Sequence, residues 1–112
     1  MNNKNKLIWI AALLEGEGAF TKDVSARVQL GMTDKDVVEK YCSYLRDLGF
    51  EFNGNILQRD YNKKKNIKHS ISYHFKLSSR NAIKLMKLIL PYMGLRRSNR
   101  IKMIIGEYYV KR

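Results

Sequence analysis

Residues 10–20 constrain this chain most, because an apolar helical run ends there in two acids that alternate with two glycines. A helix C-terminus carries partial negative charge, which disfavours Glu15 and Glu17 unless a cation compensates them. Gly16 and Gly18 are expected to let the chain leave the helix in a conformation closed to other residues, and to bring backbone carbonyls close to the acids. The pattern favours a site of oxygen ligands, for which a divalent metal is one suitable cation.

The charge of the chain is divided unevenly between its halves. Its 112 residues fit a single domain, residues 1–112, with one modest core. Residues 1–56 contain seven Lys or Arg against eight Asp or Glu, whereas residues 57–112 contain fifteen against two. Such a basic half is typical of a protein that binds a polyanion. Nucleic acid is the first candidate, although a ribosomal-type structural role or an anionic membrane surface would use the same charge.

The number of cysteines and the length of the apolar runs indicate where in the cell the protein is expected. Cys42 is the single cysteine, which excludes an internal disulfide and a finger-type zinc cluster, and its apolar helical position predicts a buried thiol. The longest apolar run, residues 7–14, is far shorter than the roughly 20 residues that span a bilayer, and it lacks a signal-peptide cleavage pattern. We therefore expect no membrane partner and an intracellular location, in a bacterial or phage cytoplasm or in an organelle.

Hydrophobic periodicity predicts the elements of the first half. A helix over about residues 4–15 is apolar nearly all round, so other elements must cover it on two sides. Apolar and polar residues then alternate over residues 24–32, which is the period of a half-buried strand. Thr33 is expected to cap a second helix, with Asp36 as the acid of a capping box and Gly49 at its end.

The second half predicts two further strands and two helices. A weak strand over residues 56–61 leads through a lysine-rich stretch into a clear strand, whose inward positions run alternately from Ile71 to Leu77. Ser79 is expected to cap a third helix that Pro91 ends. The inward residues of the last helix are predicted to be Leu95, Ile101, Ile104, Ile105 and Tyr108.

This order predicts an α+β fold, αββαββαα, in which helices cover one face of an antiparallel sheet. The other face would carry hydrogen-bonding and cationic side chains, and a curved ribbon of strands fits the major groove of DNA. The strands and the lysine-rich tip together predict the following DNA-binding residues: Thr21, Ser25, Arg27, Gln29, Arg59, Tyr61, Lys63, Lys65, His74 and Lys76.

Residues 11–20 resemble the signature of the LAGLIDADG homing endonucleases, and the predicted element order is similar to that family's core. The chain departs from the signature at Ile10, at Ala12 and at the two acids, which are glutamates instead of aspartates. The resemblance implies a saddle-shaped sheet and a signature helix that packs against a second copy of itself. Because this sequence holds one copy of the signature, a homodimer is implied.

The residues of the first helix agree with a helix pair. Ala12 and Gly16 are four apart on one face, so two such helices could approach closely there. The predicted dimer interface comprises Trp9, Ala12, Leu13, Glu15 and Gly16. Close approach would bring the two Glu17 carboxylates together, while Glu15 is expected to act in capping or hydrogen bonding at the helix ends.

The resemblance also implies a catalytic arrangement. By position in the motif, Glu17 matches the metal-binding acid and Gly16 would offer its carbonyl, so Mg²⁺ (or Mn²⁺) is the expected cofactor. Arg96 falls where the family commonly places a lysine near the scissile phosphate, and Asp34 where a polar residue often orients metal-bound water. Each also has a simpler interpretation, as a phosphate contact for Arg96 and as a favourable first-turn acid for Asp34.

The leading hypothesis is a homodimeric, metal-dependent homing endonuclease that cuts both strands of a long pseudo-palindromic DNA site. Mobility of an intron or similar element would be its biological use. The alternative is a non-catalytic nucleic-acid-binding protein on the same scaffold, either a DNA-binding regulator or an RNA maturase with intron RNA as its partner.

Overall fold

The structure is a computed structural model that describes residues 1–60 and 71–110. Three predicted DNA contacts, Tyr61, Lys63 and Lys65, lie outside the described residues, as does the lysine-rich tip. The elements are α1 (Asn3–Glu17), β1 (Gly18–Lys22), β2 (Ala26–Met32), α2 (Lys35–Asp47), β3 (Leu57–Asp60), β4 (Ile71–Ser78), α3 (Ser79–Ile89), a 3₁₀ turn (Leu90–Tyr92) and α4 (Leu95–Val110). Within these residues, no helix is long and apolar enough to cross a membrane.

The strands form one antiparallel sheet in the order β1-β2-β4-β3. The two central strands pair with Val28 opposite Leu77 and Leu30 opposite Phe75, and all four side chains are buried. Residues 1–60 and 71–110 thus contain four α-helices and an antiparallel sheet, which confirms the predicted α+β class. Period-two alternation is the reason, since it gives one sheet face to the core and leaves the other to polar side chains.

The helices supply the other side of the core. Helices α2 and α3 each bury one apolar stripe, with Tyr41 and Leu45 fully buried on α2 and Leu85, Met86 and Ile89 on α3. Each large aliphatic side chain taken fully from water stabilises the fold by roughly 1.5–3 kcal/mol. These contacts fix the helix layer on one face of the sheet.

Helix α1 is buried on one side only. Asn2 caps it by accepting a hydrogen bond from the Asn5 backbone N–H at 2.8 Å, which starts the helix earlier than predicted. Ile10, Ala11 and Leu14 are buried against the core. The opposite side, with Ile8, Ala12 and Gly16, is exposed, so the described part of this chain does not supply the second cover that the sequence requires.

Two predicted caps are wrong by one residue. The N-cap of α2 is Asp34 instead of Thr33, and its backbone carbonyl accepts from the N–H groups of residues 37 and 38. The N-cap of α3 is Ser78 instead of Ser79. Gly49 is confirmed at the end of α2, where its φ of 94° is a conformation that favours glycine.

Three apolar predictions are also wrong. Val24 is 89% exposed because it lies in the turn between β1 and β2. Ile71 is exposed and Ser72 buried, at an end of β4 that pairs with β3 but not with β2. Leu95 is 80% exposed because it lies six positions before Ile101, which places it about 120° around α4 from the buried stripe.

Candidate nucleic-acid interface

The uncovered sheet face forms an open groove of about 680 Å³. Side chains two apart on a strand share a face, so β2 and β4 each contribute alternate residues to it. The polar side chains of the described residues that line the groove are Glu17, Arg27, Gln29, Asn55, Arg59, His74 and Lys76. Five predicted DNA contacts and the predicted metal-binding acid therefore line one groove.

Strand register arranges these groups in rows. Gln29 of β2 lies opposite Lys76 of β4, and Gly31 lies opposite His74. Side chains directly opposite each other on antiparallel strands have Cβ atoms about 4.5–5.5 Å apart. The groove thus presents an amide beside a cation, a combination that can contact base edges and phosphates at the same time.

The His74 ring lies directly over Gly31. A Cβ at that glycine would overlap the imidazole, so the absent side chain creates the space that the ring occupies. The Ser72 hydroxyl is 2.7 Å from Nε2 of His74 and orients the ring. Burial, and secondly the charge of Arg59, hold the pKa of His74 below its ordinary value, which favours the neutral imidazole.

Arg27 has an unsatisfied donor. Its Nε is buried and, within residues 1–60 and 71–110, has no hydrogen-bond partner. A buried N–H without an acceptor costs roughly 1–3 kcal/mol, more when the group is charged. A phosphate or base acceptor at the groove would remove that cost.

Glu17 is the last residue of α1, and its side chain is exposed. It makes no hydrogen bond or ion pair with any described residue. The chain turns directly into β1 because the Gly18 N–H bonds to the Leu14 carbonyl, and a Cβ at Gly18 would come within 2.8 Å of that oxygen. Gly18 is therefore required for the close approach of its backbone to the Leu14 carbonyl. The expectation of a backbone conformation closed to other residues is wrong at Gly18, since its φ is −83°.

Glu15 obtains its cation from within the chain. The Nε of Arg97 lies 2.9 Å from Glu15 Oε2, an ion pair without the alignment of a hydrogen bond. The Gly94 backbone N–H donates to the other carboxylate oxygen. Arg97 Nη1 also donates to the Gly18 carbonyl at 2.6 Å, so one guanidinium ties the start of α4 to the junction of α1 and β1.

The other predicted site residues within residues 1–60 and 71–110 do not line the groove. Asp34 is exposed at the N-cap of α2, and Arg96 is exposed in the first turn of α4. Thr21 is half-buried on β1 opposite Arg27, and Ser25 lies in the turn before β2. Sequence reasoning missed Asn55 and Leu57, which line the groove: Asn55 precedes the predicted weak strand over residues 56–61, and Leu57 lies within it but is apolar and so carries no signal of a nucleic-acid contact.

The predicted interface residues differ in what they contact. Ala12 and Gly16 are exposed, and a Cβ at Gly16 would meet no atom within 4 Å. Trp9 packs edge-on against Tyr44 of α2, with ring centroids 5.1 Å apart. Leu13 is half-buried against the core, so the surface available to a partner centres on the small residues.

Comparison of the chain with models of protein families, with curated proteins and with solved structures found no match. Any functional assignment therefore depends on the residues of the groove and of α1. Among the described residues, the central feature is that Glu17 has no ion pair and lies in a groove with three permanent cations, Arg27, Arg59 and Lys76.

Proposed function

We propose that this chain is a homodimeric, metal-dependent, site-specific DNA endonuclease of the LAGLIDADG type. The observation that carries the proposal is that Glu17 lines the same groove as Arg27, Gln29 and Lys76. A nuclease needs cations that hold the phosphates and an acid that recruits a metal to one of them. The groove supplies both on one face of a sheet.

The groove is suited to duplex DNA. Arg27, Arg59 and Lys76 provide positive charge, and the neighbouring Gln29 offers an amide that can bond to an adenine edge. A ribbon of antiparallel strands can enter the major groove. The sheet would read bases there while its cations fix the register on the backbone.

A second copy would extend the site. Ile8, Ala12 and Gly16 form an exposed strip along α1, and the small side chains allow two α1 helices to pack closely. A two-fold pair would align two grooves into one long interface, which accounts for a pseudo-palindromic site. It would also bring the ends of both α1 helices, each with its Glu17, near the axis.

The donor set fits Mg²⁺ held jointly by protein and DNA. Within residues 1–60 and 71–110, no three His, Cys, Asp or Glu side chains lie close enough to enclose a metal. Mg²⁺ does not require such a cage, since one or two carboxylates with waters and substrate phosphates suffice. Glu17 would bind it, with the carbonyl of Gly16 nearby, because the last carbonyls of a helix lack helical partners.

A bound metal would supply Lewis acidity and an activated water at neutral pH. The chain itself would position the reaction. Arg27 and Lys76 would hold the backbone across the groove, and the contacts of Glu15 with Arg97 would keep the junction before β1 fixed. Arg96 and Asp34 remain candidates for the phosphate and water contacts that the resemblance implies.

The role of Glu17 is tested by comparing the parent protein with Glu17→Gln in Mg²⁺ on the same DNA. Glu107→Gln is the matched control, since Glu107 is an exposed acid on α4. We expect Glu17→Gln to lose cleavage while its DNA affinity is retained, and the control to cut at the parental rate. Equal cleavage by Glu17→Gln and the parent would refute the assigned role.

A non-catalytic nucleic-acid-binding protein is the second candidate. It is favoured by one observation, that Asp34 and Arg96 do not line the groove whereas the cations do. An RNA maturase or a DNA-binding regulator would need the cations alone. Binding of folded intron RNA or duplex DNA without any metal-dependent nick would select this function.

A further inference from the structure

Helix α3 carries a basic surface that the groove does not use. Arg80, Lys84 and Lys87 are exposed and lie on one side of the helix, since residues four and three apart are neighbours. We call these three residues the α3 basic face. The other side of α3 is buried in the core with Val28 and Leu77, so the α3 basic face points away from the sheet and its groove.

The charge of α3 is unusual for a solvated helix surface. An ordinary exposed face mixes both signs, as α2 does with three Lys or Arg and three Asp or Glu. Helix α3 has three cations and no acid. On α4, Arg97 and Arg100 are engaged with carbonyls of β1, and the acid present is Glu107. The helix side therefore retains an excess of positive charge.

Two of these cations are held in place by aromatic rings. The Lys84 ammonium lies 4.4 Å from the centre of the Phe50 ring, and that of Lys87 lies 4.5 Å from the Tyr109 ring. Lys87 also bonds to the Tyr109 hydroxyl. A lysine that is already restrained loses less side-chain entropy when it contacts a phosphate. Their positions favour a preformed contact with an extended anion.

We propose that the α3 basic face binds the phosphate backbone of a second nucleic-acid segment while the groove holds the first. The protein then bridges two segments from opposite sides of the sheet. Nucleic acid fits better than a lipid surface, because a membrane-bound helix needs a broad apolar face and that of α3 is buried. The contact is independent of cleavage at Glu17.

The test measures bridging between two DNA duplexes. An immobilised duplex is incubated with protein and a second, fluorescent duplex, and the captured fluorescence is measured against salt. The variant is Arg80→Gln/Lys84→Gln/Lys87→Gln. The control, Lys4→Gln/Lys35→Gln/Lys40→Gln, removes the same charge from α1 and α2 and includes two lysines that also lie over aromatic rings.

We expect the α3 variant to lose at least ten-fold in capture while still binding one duplex through its groove. The logarithm of the affinity falls linearly with the logarithm of the salt concentration, and each lost phosphate contact lowers the magnitude of that slope by about 0.9. For the second duplex the magnitude of the slope should therefore fall by roughly 2–3. Lys84→Arg/Lys87→Arg, which retains charge over both rings, should bridge like the parent. Thermal unfolding should show that all variants are folded.

Several outcomes would overturn the α3 contact. If the α3 variant still bridges two duplexes, bridging would be assigned to the two grooves of a dimer. If the control variant loses as much capture as the α3 variant, bridging would depend on the net charge of the protein and not on the α3 basic face. Capture of anionic vesicles but not of duplexes would replace nucleic acid by lipid. Arg27→Gln/Lys76→Gln tests the proposed DNA groove separately, because it should lose binding of the first duplex only. Failure of the groove proposal and failure of the α3 proposal are therefore distinguishable.

Discussion

Arg97 joins three parts of the chain. Its replacement gives a quantitative test of what stabilises the junction of α1 and β1, where Glu17 lies. Its guanidinium pairs with Glu15, donates to the Gly18 carbonyl and lies 5.7 Å from the centre of the Phe20 ring. Arg97→Gln removes the charge and shortens the side chain. Both ends of the segment that contains Glu17 would lose this tie to α4.

The expected loss follows from the individual contacts. A hydrogen bond from a charged donor contributes about 1.5–3 kcal/mol, and the Gly18 contact is part-buried. The ion pair with Glu15 adds at most about 1 kcal/mol, because the Glu15 side chain is 38% exposed and solvent screens it. The ring contact adds about 0.5 kcal/mol. Arg97→Gln should therefore destabilise the fold by about 2–4 kcal/mol.

Urea denaturation followed by circular dichroism measures this loss directly. Glu15→Gln and the double variant complete a cycle, in which we expect a coupling of about 0.5–1 kcal/mol between the two side chains. Arg96→Gln is the control, since its side chain is exposed, and should change the free energy of unfolding by less than about 0.5 kcal/mol. If Arg97→Gln changed the free energy of unfolding no more than Arg96→Gln does, or if the coupling energy were zero, the stabilising role of Arg97 would be refuted.

Two further predictions concern the core. The Tyr41 hydroxyl is buried and unbonded in the part of the chain that the structure describes, so Tyr41→Phe should raise the free energy of unfolding by about 1–3 kcal/mol in denaturant; a loss would reveal a partner for the hydroxyl. Burial raises the pKa of the Cys42 thiol to about 11 from its ordinary value of about 9. The contribution of the protonated thiol to the free energy of unfolding is therefore complete below pH 9 and is lost as the pH rises toward 11. Cys42→Ala should flatten that alkaline decline relative to the parent, and an unchanged pH profile would contradict it.

The elements that sequence predicts well are those with a clean period. Alternation over β2 and β4 correctly assigns Val28 and Leu77 to the core, and by the same rule assigns Arg27, Gln29 and Lys76 to the open face. These residues of the candidate groove therefore follow from local pattern alone. Burial on one side is the physical reason, since a shift by one residue would exchange the two faces.

Long-range contacts were not accessible in this way. Nothing near Glu15 in the sequence indicates that its cation is Arg97, which belongs to the last helix. The partial negative charge of this helix end favours a cation beside Glu15, and that cation is Arg97 instead of the metal that the sequence suggested. The Glu17 carboxylate, by contrast, has no such ion pair within the described residues, and it is the acid that we propose for the metal.

Close packing explains the remaining errors. Adjacent polar residues at the starts of α2 and α3 offer equivalent caps in sequence, and only the path of the chain selects Asp34 and Ser78. Gly31 gave no local signal of its role either. Its lack of a side chain matters because His74, from the neighbouring strand, occupies the space above it.

The most direct test of the central claim is incubation of the parent protein with a randomised duplex library, with Mg²⁺ or with EDTA, followed by sequencing of the DNA ends produced. We expect double-strand ends at a long, nearly palindromic sequence in Mg²⁺ and none in EDTA. Nucleic-acid binding without any metal-dependent ends would contradict the endonuclease and leave the groove as a binding surface.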